Sequence, residues 1–409
     1  MTGQPVREYS YRWVVLASFM LITALNQALW ITFAPITSDA MRFYGASDIT
    51  IGLLSMVFMV VYILLVLPSA WLIDTLGFRA AVSLGAALTA VFALTRGLFA
   101  DNLTLVFASQ VGIAVGQPLI LGAITKLAAR WFRKEERGTA SGLGTLAIYL
   151  GILSSFIVTP ALLSAYGMKG MLVITGVAAV VAAAVFLVAA RDSPPTPPGP
   201  SGQDERALMF TGLKRMMKQR DFILLLAIFF IGLGMFNGIT TWIEEILGPR
   251  GFSPAQAGLA GGLMLIGGIA GAAVIPILSD ARRRRKPFVI LALAGLLPGL
   301  AGITFATVSW LLLASSFLFG FFLLSAGPIG FQYGAEITLP APEGTSNSLL
   351  IVMGQVSGIV FIFGMDAFKS PGGSMTGSLV ALAALTVVGL VLALLLKESP
   401  IRNGARSPR

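Results

Sequence analysis

The chain contains no cysteine and no histidine. Disulfides, Cys/His metal sites, thiol nucleophiles and histidine proton relays are therefore excluded at once. Charge is scarce as well: 11% of the residues are Asp, Glu, Lys or Arg, against about 25% in a soluble globular domain. So few charges cannot cover the surface of a water-soluble enzyme. The 409 residues are instead 56% hydrophobic, with 46 glycines, 27 phenylalanines and a mean hydropathy of +0.88. That mixture suits lipid-facing surface and closely packed membrane helices. Catalytic machinery is missing too: no phosphate-binding GxxxxGK[ST] loop and no evident convergent nucleophile, metal set or carboxylate pair.

A membrane helix needs about 20 mainly apolar residues. Uncharged runs of 29, 49 and 27 residues lie at 251–279, 287–335 and 370–396. The longest holds two spans, broken near 307–309. Twelve spans result, at roughly 11–35, 49–73, 80–99, 103–132, 139–164, 170–190, 222–247, 254–279, 288–306, 310–333, 345–368 and 376–396. The first is too long for a cleavable signal peptide, and Asn26 and Gln27 interrupt it where a small-residue cleavage site would be needed. With twelve spans, Arg42, Arg96, Lys169, Arg250 and Lys369 fall on one side and the other 23 of the 28 basic residues on the opposite side. Basic loops stay inside, so both termini are expected in the cytoplasm, with the chain a multi-pass protein of the cytoplasmic membrane. The run Arg282–Lys286 then reads as a topology anchor, and the net charge of +10 calls for no nucleic-acid partner.

The long polar stretch 191–220 divides the chain. Residues 191–200 hold five prolines and cannot be helical, and 207–220 reads as a short basic amphipathic helix on the inner leaflet. The expected organisation is a six-helix bundle over 1–190, a cytoplasmic linker over 191–220, and a second bundle with a tail over 221–409. The halves repeat at an offset of 206: Asp74 and Arg79 match Asp280 and Arg285, Arg137 opens a span as Glu343 does, Tyr149 matches Gln355, and Trp30 matches Phe236. Such duplication marks a transporter whose substrate lies where two bundles meet.

The segment Asp74-Thr-Leu-Gly77-Phe-Arg79 resembles the loop signature of the major facilitator superfamily, and Ser279-Asp280 through Arg285 is similar to its second-half echo. The usual first glycine of the signature is here Ala70. The resemblance implies an all-α membrane fold that works by alternating access, without a cofactor and as a monomer. Asp74, Arg79, Asp280, Arg285 and Glu343 are the expected conformational residues. Asp74 and Asp280 either latch one conformation or only cap helix ends in a basic environment.

The ordered pieces Asn26-Gln-Ala-Leu-Trp30, Phe43-Tyr44-Gly45, Leu54 to Met59, Leu67-Pro68-Ser-Ala-Trp71, Glu336 to Pro340, Glu343 to Ser346 and Gly354-Gln355-Val356 resemble the feline leukaemia virus subgroup C receptor family. Its vertebrate members carry choline and related amines and have been linked to haem. The family's cation site implies roles for Trp30 (first span), Gln117 (fourth) and Gln355 (eleventh). Its seventh-span tyrosine is replaced by Asn237 beside Phe236, a later asparagine by Glu244, and its fifth-span Asn-Gln pair by Ile148-Tyr149.

Substrate-binding candidates are therefore Trp30, Asn26, Gln117, Tyr149, Phe236, Asn237 and Gln355. An indole face attracts a quaternary ammonium by about 0.5–2 kcal/mol, and neutral amides orient a hydroxyl without trapping the charge. Blander roles stand beside these. Trp30 fits an interfacial belt, and Gln110 and Gln117 fit helix-to-helix bonding. Glu244, some 22 residues into its span, fits a rim screened by water. The Gly258/Gly262 and Gly267/Gly271 pairs fit helix packing. The expected function is secondary transport of a small organic cation. The alternatives are a haem or amphiphile carrier, for which the chain lacks His and Cys axial ligands, and a proton-coupled carrier in which Glu244 or Glu343 titrates.

Overall fold

The structure, a computed structural model, describes residues 9–133, 136–195, 216–339 and 343–399, with backbone alone for 343–345. Among these residues every regular element is a helix. With no water in a bilayer core to satisfy backbone groups, an apolar segment must bond to itself along its own length. The helices are α1 (Tyr11–Trp30), α2 (Thr37–Tyr44), α3 (Asp48–Leu76), α4 (Phe78–Leu98), α5 (Leu103–Leu121), α6 (Ile124–Trp131), α7 (Arg137–Ala189), α8 (Arg220–Thr241), α9 (Ile243–Leu247), α10 (Pro254–Arg282), α11 (Lys286–Phe305), α12 (Ser309–Thr338), α13 (Glu343–Ala367) and α14 (Thr376–Leu395).

Eleven segments among the described residues are long and apolar enough to cross a membrane, counting α5 and α6 as one. One of them, α7, has 53 residues. At 1.5 Å per residue it is about 80 Å long, more than twice a hydrocarbon core of about 30 Å. It is broken at Gly167, where φ is 67° and ψ 178°, a backbone open to glycine and strained for other residues. Two spans come from α7, and twelve in all. The break expected near 307–309 falls between the end of α11 at Phe305 and the start of α12 at Ser309. Of the amphipathic helix expected over 207–220, residues 207–215 lie outside the described residues and Arg220 opens α8.

The chain separates into two compact units, Met1–Ser201 and Gly202–Arg409. In the first, α7 packs on α1 and α4, and α5 on α3 and α4. In the second, α12 packs on α10 and α11, α13 on α8, and α14 on α11. The 206-residue repeat is visible at the helix starts. Ser47 accepts a hydrogen bond from Thr50 N at the head of α3, and Ser253 forms a full capping box with Gln256 at the head of α10. Close packing uses glycine as expected for Gly267 and Gly271 of α10: a Cβ there would collide with the Phe317 and Phe321 carbonyls of α12. Large apolar side chains such as Leu64, Leu67, Val188 and Ile277 stay exposed, as lipid-facing residues do.

Candidate functional site

In the first unit, Trp30 ends α1 and is 6% exposed. Its indole N–H donates to the Ser55 carbonyl of α3 at 3.0 Å. With its donor engaged, the ring's remaining chemistry is its π face. One turn earlier, the Asn26 amide donates to Thr89 Oγ1 of α4 at 3.0 Å. Its Oδ1 is buried and unpartnered among the described residues. Thr89 Oγ1 also crowds Gly116 of α5, where a Cβ would come within 2.9 Å of it. Asn26 and Gln117 therefore lie in one neighbourhood where α1, α4 and α5 converge. Gln117 is buried and makes no side-chain hydrogen bond among the described residues. Tyr149 sits on α7 two residues before Gly151, whose Cα packs on the Ala24 carbonyl of α1. Two residues are about 200° of helix, so the Tyr149 ring leaves α7 on a different face from the α1 contact.

In the second unit, the Asn237 amide of α8 donates to the Gly354 carbonyl of α13 at 3.2 Å. This sets Phe236 and Asn237 beside the residue preceding Gln355, which is half-buried and makes no hydrogen bond among the described residues. Three expected residues are thus brought together on α8 and α13.

Two other expectations are revised. Glu244 is no water-screened rim: α9 buries it, at 2% exposure. Arg96, counted only by its side of the membrane, is fully enclosed near the end of α4, where Nη1 donates to Gln110 Oε1 of α5 at 2.7 Å and to the Leu29 carbonyl at 3.3 Å. Gln110 in turn donates to the Leu54 carbonyl at 3.0 Å, so of its two roles the helix-to-helix one is observed.

The loop signatures form a charged network at the basic end of each unit. In the second, the Arg285 guanidinium reaches Asp280 and Ser279 Oγ, and donates to Glu336 of α12 at 2.8 Å. Ser399 Oγ donates to the same Glu336. Glu398 accepts from the Arg285 backbone N–H at 2.7 Å and from that of Lys286 at 3.2 Å. The first unit answers with different pairings. Asp74 pairs with Lys126 at 3.1 Å rather than repeating the Asp280–Arg285 bridge. Asp192, 206 positions before Glu398, accepts from the Arg79 backbone N–H at 3.3 Å and pairs with Arg130. Arg130 lies 206 before Glu336, so the sign at that site is reversed between the halves. Sequence reading missed Asp192, Arg130, Glu336 and Glu398 as network members, although the offset already applied to Asp74 and Arg79 reaches each of them. The side chain of Glu343 lies outside the described residues.

The network explains the signature's glycine. Gly77 has φ 86° and ψ 164°, and a Cβ there would stand 2.6 Å from Asp192 Oδ1. Its counterpart 206 residues later is Arg283, the one non-glycine at positive φ (50°) among the described residues.

The sequence pattern of the Major Facilitator Superfamily matches residues 19–362. The chain belongs to this superfamily. It is similar to solute carrier family 49 member A3 of Xenopus tropicalis, 30% identical over 89% of this chain and 79% of that protein. It is also similar to the choline/ethanolamine transporter FLVCR2 of Homo sapiens, 28% identical over 96% and 78%. A solved bacterial homologue of the human lysosomal transporter Spinster shares the fold, with a TM-score of 0.76 at 16% identity, covering 95% of this chain and 98% of that one. The protein is thus a multi-pass membrane transporter and not an enzyme.

Gly77→Ala strains the backbone and displaces Asp192. It is expected to destabilise the protein by about 1–3 kcal/mol, while Arg283→Gly relieves a left-handed residue and is neutral or stabilising. Thermal unfolding of both variants followed by tryptophan fluorescence checks this asymmetry.

Proposed function

We propose that this superfamily transporter carries a small organic cation of the choline type across the cytoplasmic membrane, by rocking of residues 1–190 against 221–409, with both termini cytoplasmic. The observation that carries the reading is the state of the matched side chains. Trp30 has its N–H tied to Ser55, and the Gln117 and Gln355 amides make no hydrogen bond among the described residues. Polar groups at bilayer depth ordinarily find partners, so two unengaged amides and an oriented indole suit a ligand. The named activity of the choline/ethanolamine relatives supports the same substrate class. Trp30 supplies attraction for the ammonium, and Gln117, Gln355, Asn26 Oδ1 and Asn237 supply polar contacts for a hydroxyl. Phe236 and Tyr149 add aromatic surface in place of the family tyrosine.

A second reading rests on the burial of Glu244. A carboxylate withdrawn from water can exchange a proton with the transport cycle. Under this reading Glu244→Gln flattens the pH profile of uptake while substrate binding is retained. Under the first reading the profile is unchanged.

Trp30→Ala is expected to cost about 1–2 kcal/mol of choline binding, roughly ten-fold in affinity, and Trp30→Phe part of that. A neutral choline analogue with carbon in place of the ammonium nitrogen is expected to bind weakly and to ignore the substitution. Calorimetric titration of both ligands against the three proteins in nanodiscs decides it. Equal binding of the neutral analogue overturns the cation reading.

A further inference from the structure

Arg96 is the most enclosed cation among the described residues of the first unit. It is 0% exposed, near the end of α4 remote from the basic loops, and has no carboxylate partner among the described residues. Only one of its guanidinium nitrogens is engaged. Nη1 holds Gln110 Oε1 and the Leu29 carbonyl, whereas Nε and Nη2 are buried without a partner. These two N–H groups point in parallel from one edge of the planar fork, the edge that binds anions in a bidentate manner. The Phe33 ring lies 5.6 Å from the guanidinium carbon on one side. The Tyr44 hydroxyl of α2 is a further buried, unpartnered group. Tyr44 packs on the apolar cluster that holds Phe33, the ring over which Arg96 lies; burial pushes its phenol up to about 12, and the Arg96 charge acts on it in the opposite sense. Asp101, the acid that also acts on Tyr44, is exposed and pairs with Lys169 at 3.1 Å.

We propose that the Nε/Nη2 edge of Arg96, with the Tyr44 hydroxyl, forms a binding site for a small monovalent anion inside the first unit. The reasoning is one of satisfaction. A guanidinium withdrawn from water needs either a counter-charge or acceptors for its N–H groups. The chain fixes the orientation of Arg96 through Gln110 and Leu29, and Gln110 is itself fixed by the Leu54 carbonyl, yet the bidentate edge is left to something else. Because Arg96 is 0% exposed, the ligands to consider are the smallest anions, a halide or a short carboxylate. The site joins the end of α1, the end of α4, α5 and α2, so its occupancy stabilises that end of the unit. It uses none of the side chains of Trp30, Asn26 and Gln117, although Arg96 holds the carbonyl of Leu29, the residue before Trp30.

The test is thermal unfolding of the purified protein in nanodiscs at constant ionic strength, with chloride or acetate replacing gluconate. Saturable anion binding to the folded state is expected to raise the midpoint by about 2–4 °C. Arg96→Gln is expected to abolish the rise. Tyr44→Phe, which leaves every hydrogen bond of Arg96 in place, is expected to shift the half-saturating concentration upward by about ten-fold. The stronger of the two anions tells a halide site from a carboxylate site. If the wild type shows no anion-dependent rise, Arg96 is satisfied by water and the proposal fails. It fails equally if both variants keep the full response. Should Arg96→Gln not fold, Tyr44→Phe carries the decision.

Discussion

Every polar side chain within the membrane-spanning helices answers to one constraint: hydrocarbon offers it no hydrogen bond. Most polar groups meet the demand locally. Thr89, Thr240, Thr304 and Thr386 return their hydroxyls to carbonyls one turn back along their own helices. Others cross between helices, as Gln110 and Arg96 do to carbonyls of α3 and α1. Some do neither: the buried polar atoms of Thr23, Gln27, Thr241 and Ser316 have no partner among the described residues, and neither do Oδ1 of Asn26 and one edge of Arg96, which with the Gln117 and Gln355 amides carry the functional argument. The same rule that makes the chain helical also singles out the groups free to meet a ligand.

The helical spans were legible because apolar run length is nearly sufficient information in a membrane. The boundary near 307–309 could be read directly. The role of single polar residues could not. Gln110 and Gln117 share a helix and a side-chain chemistry, yet one is spent on Arg96 and Leu54 and the other is not. That difference depends on an arginine 14 residues earlier whose side chain turns inward, whereas charge counting assigned it only a side of the membrane. Glu244 was misread for a related reason. Distance along a helix axis gives depth but says nothing of what packs over the side chain: the long helix ends at Thr241, and Glu244 is buried on the separate short α9.

The duplicated halves keep geometry better than they keep residues. The loop after α3 and the loop after α10 both turn through positive φ, at Gly77 and at Arg283. In both, a carboxylate from beyond the last span of the half caps the loop's backbone N–H: Asp192 for Arg79 and Glu398 for Arg285. Around that shared frame the charges are rearranged, with Arg130 in one half where Glu336 stands in the other. Each half therefore has its own electrostatic fastening at the basic end. A difference between the two fastenings is a physical basis for the halves to respond unequally during a transport cycle.

The central claim is that this superfamily member carries an organic cation. The most direct measurement is uptake of radiolabelled choline into proteoliposomes holding the purified protein, with the membrane potential set by a potassium gradient and valinomycin. The account predicts saturable uptake above that of empty liposomes, increased by an inside-negative potential because each turnover moves one positive charge. Uptake no greater than in empty liposomes at either potential would contradict it.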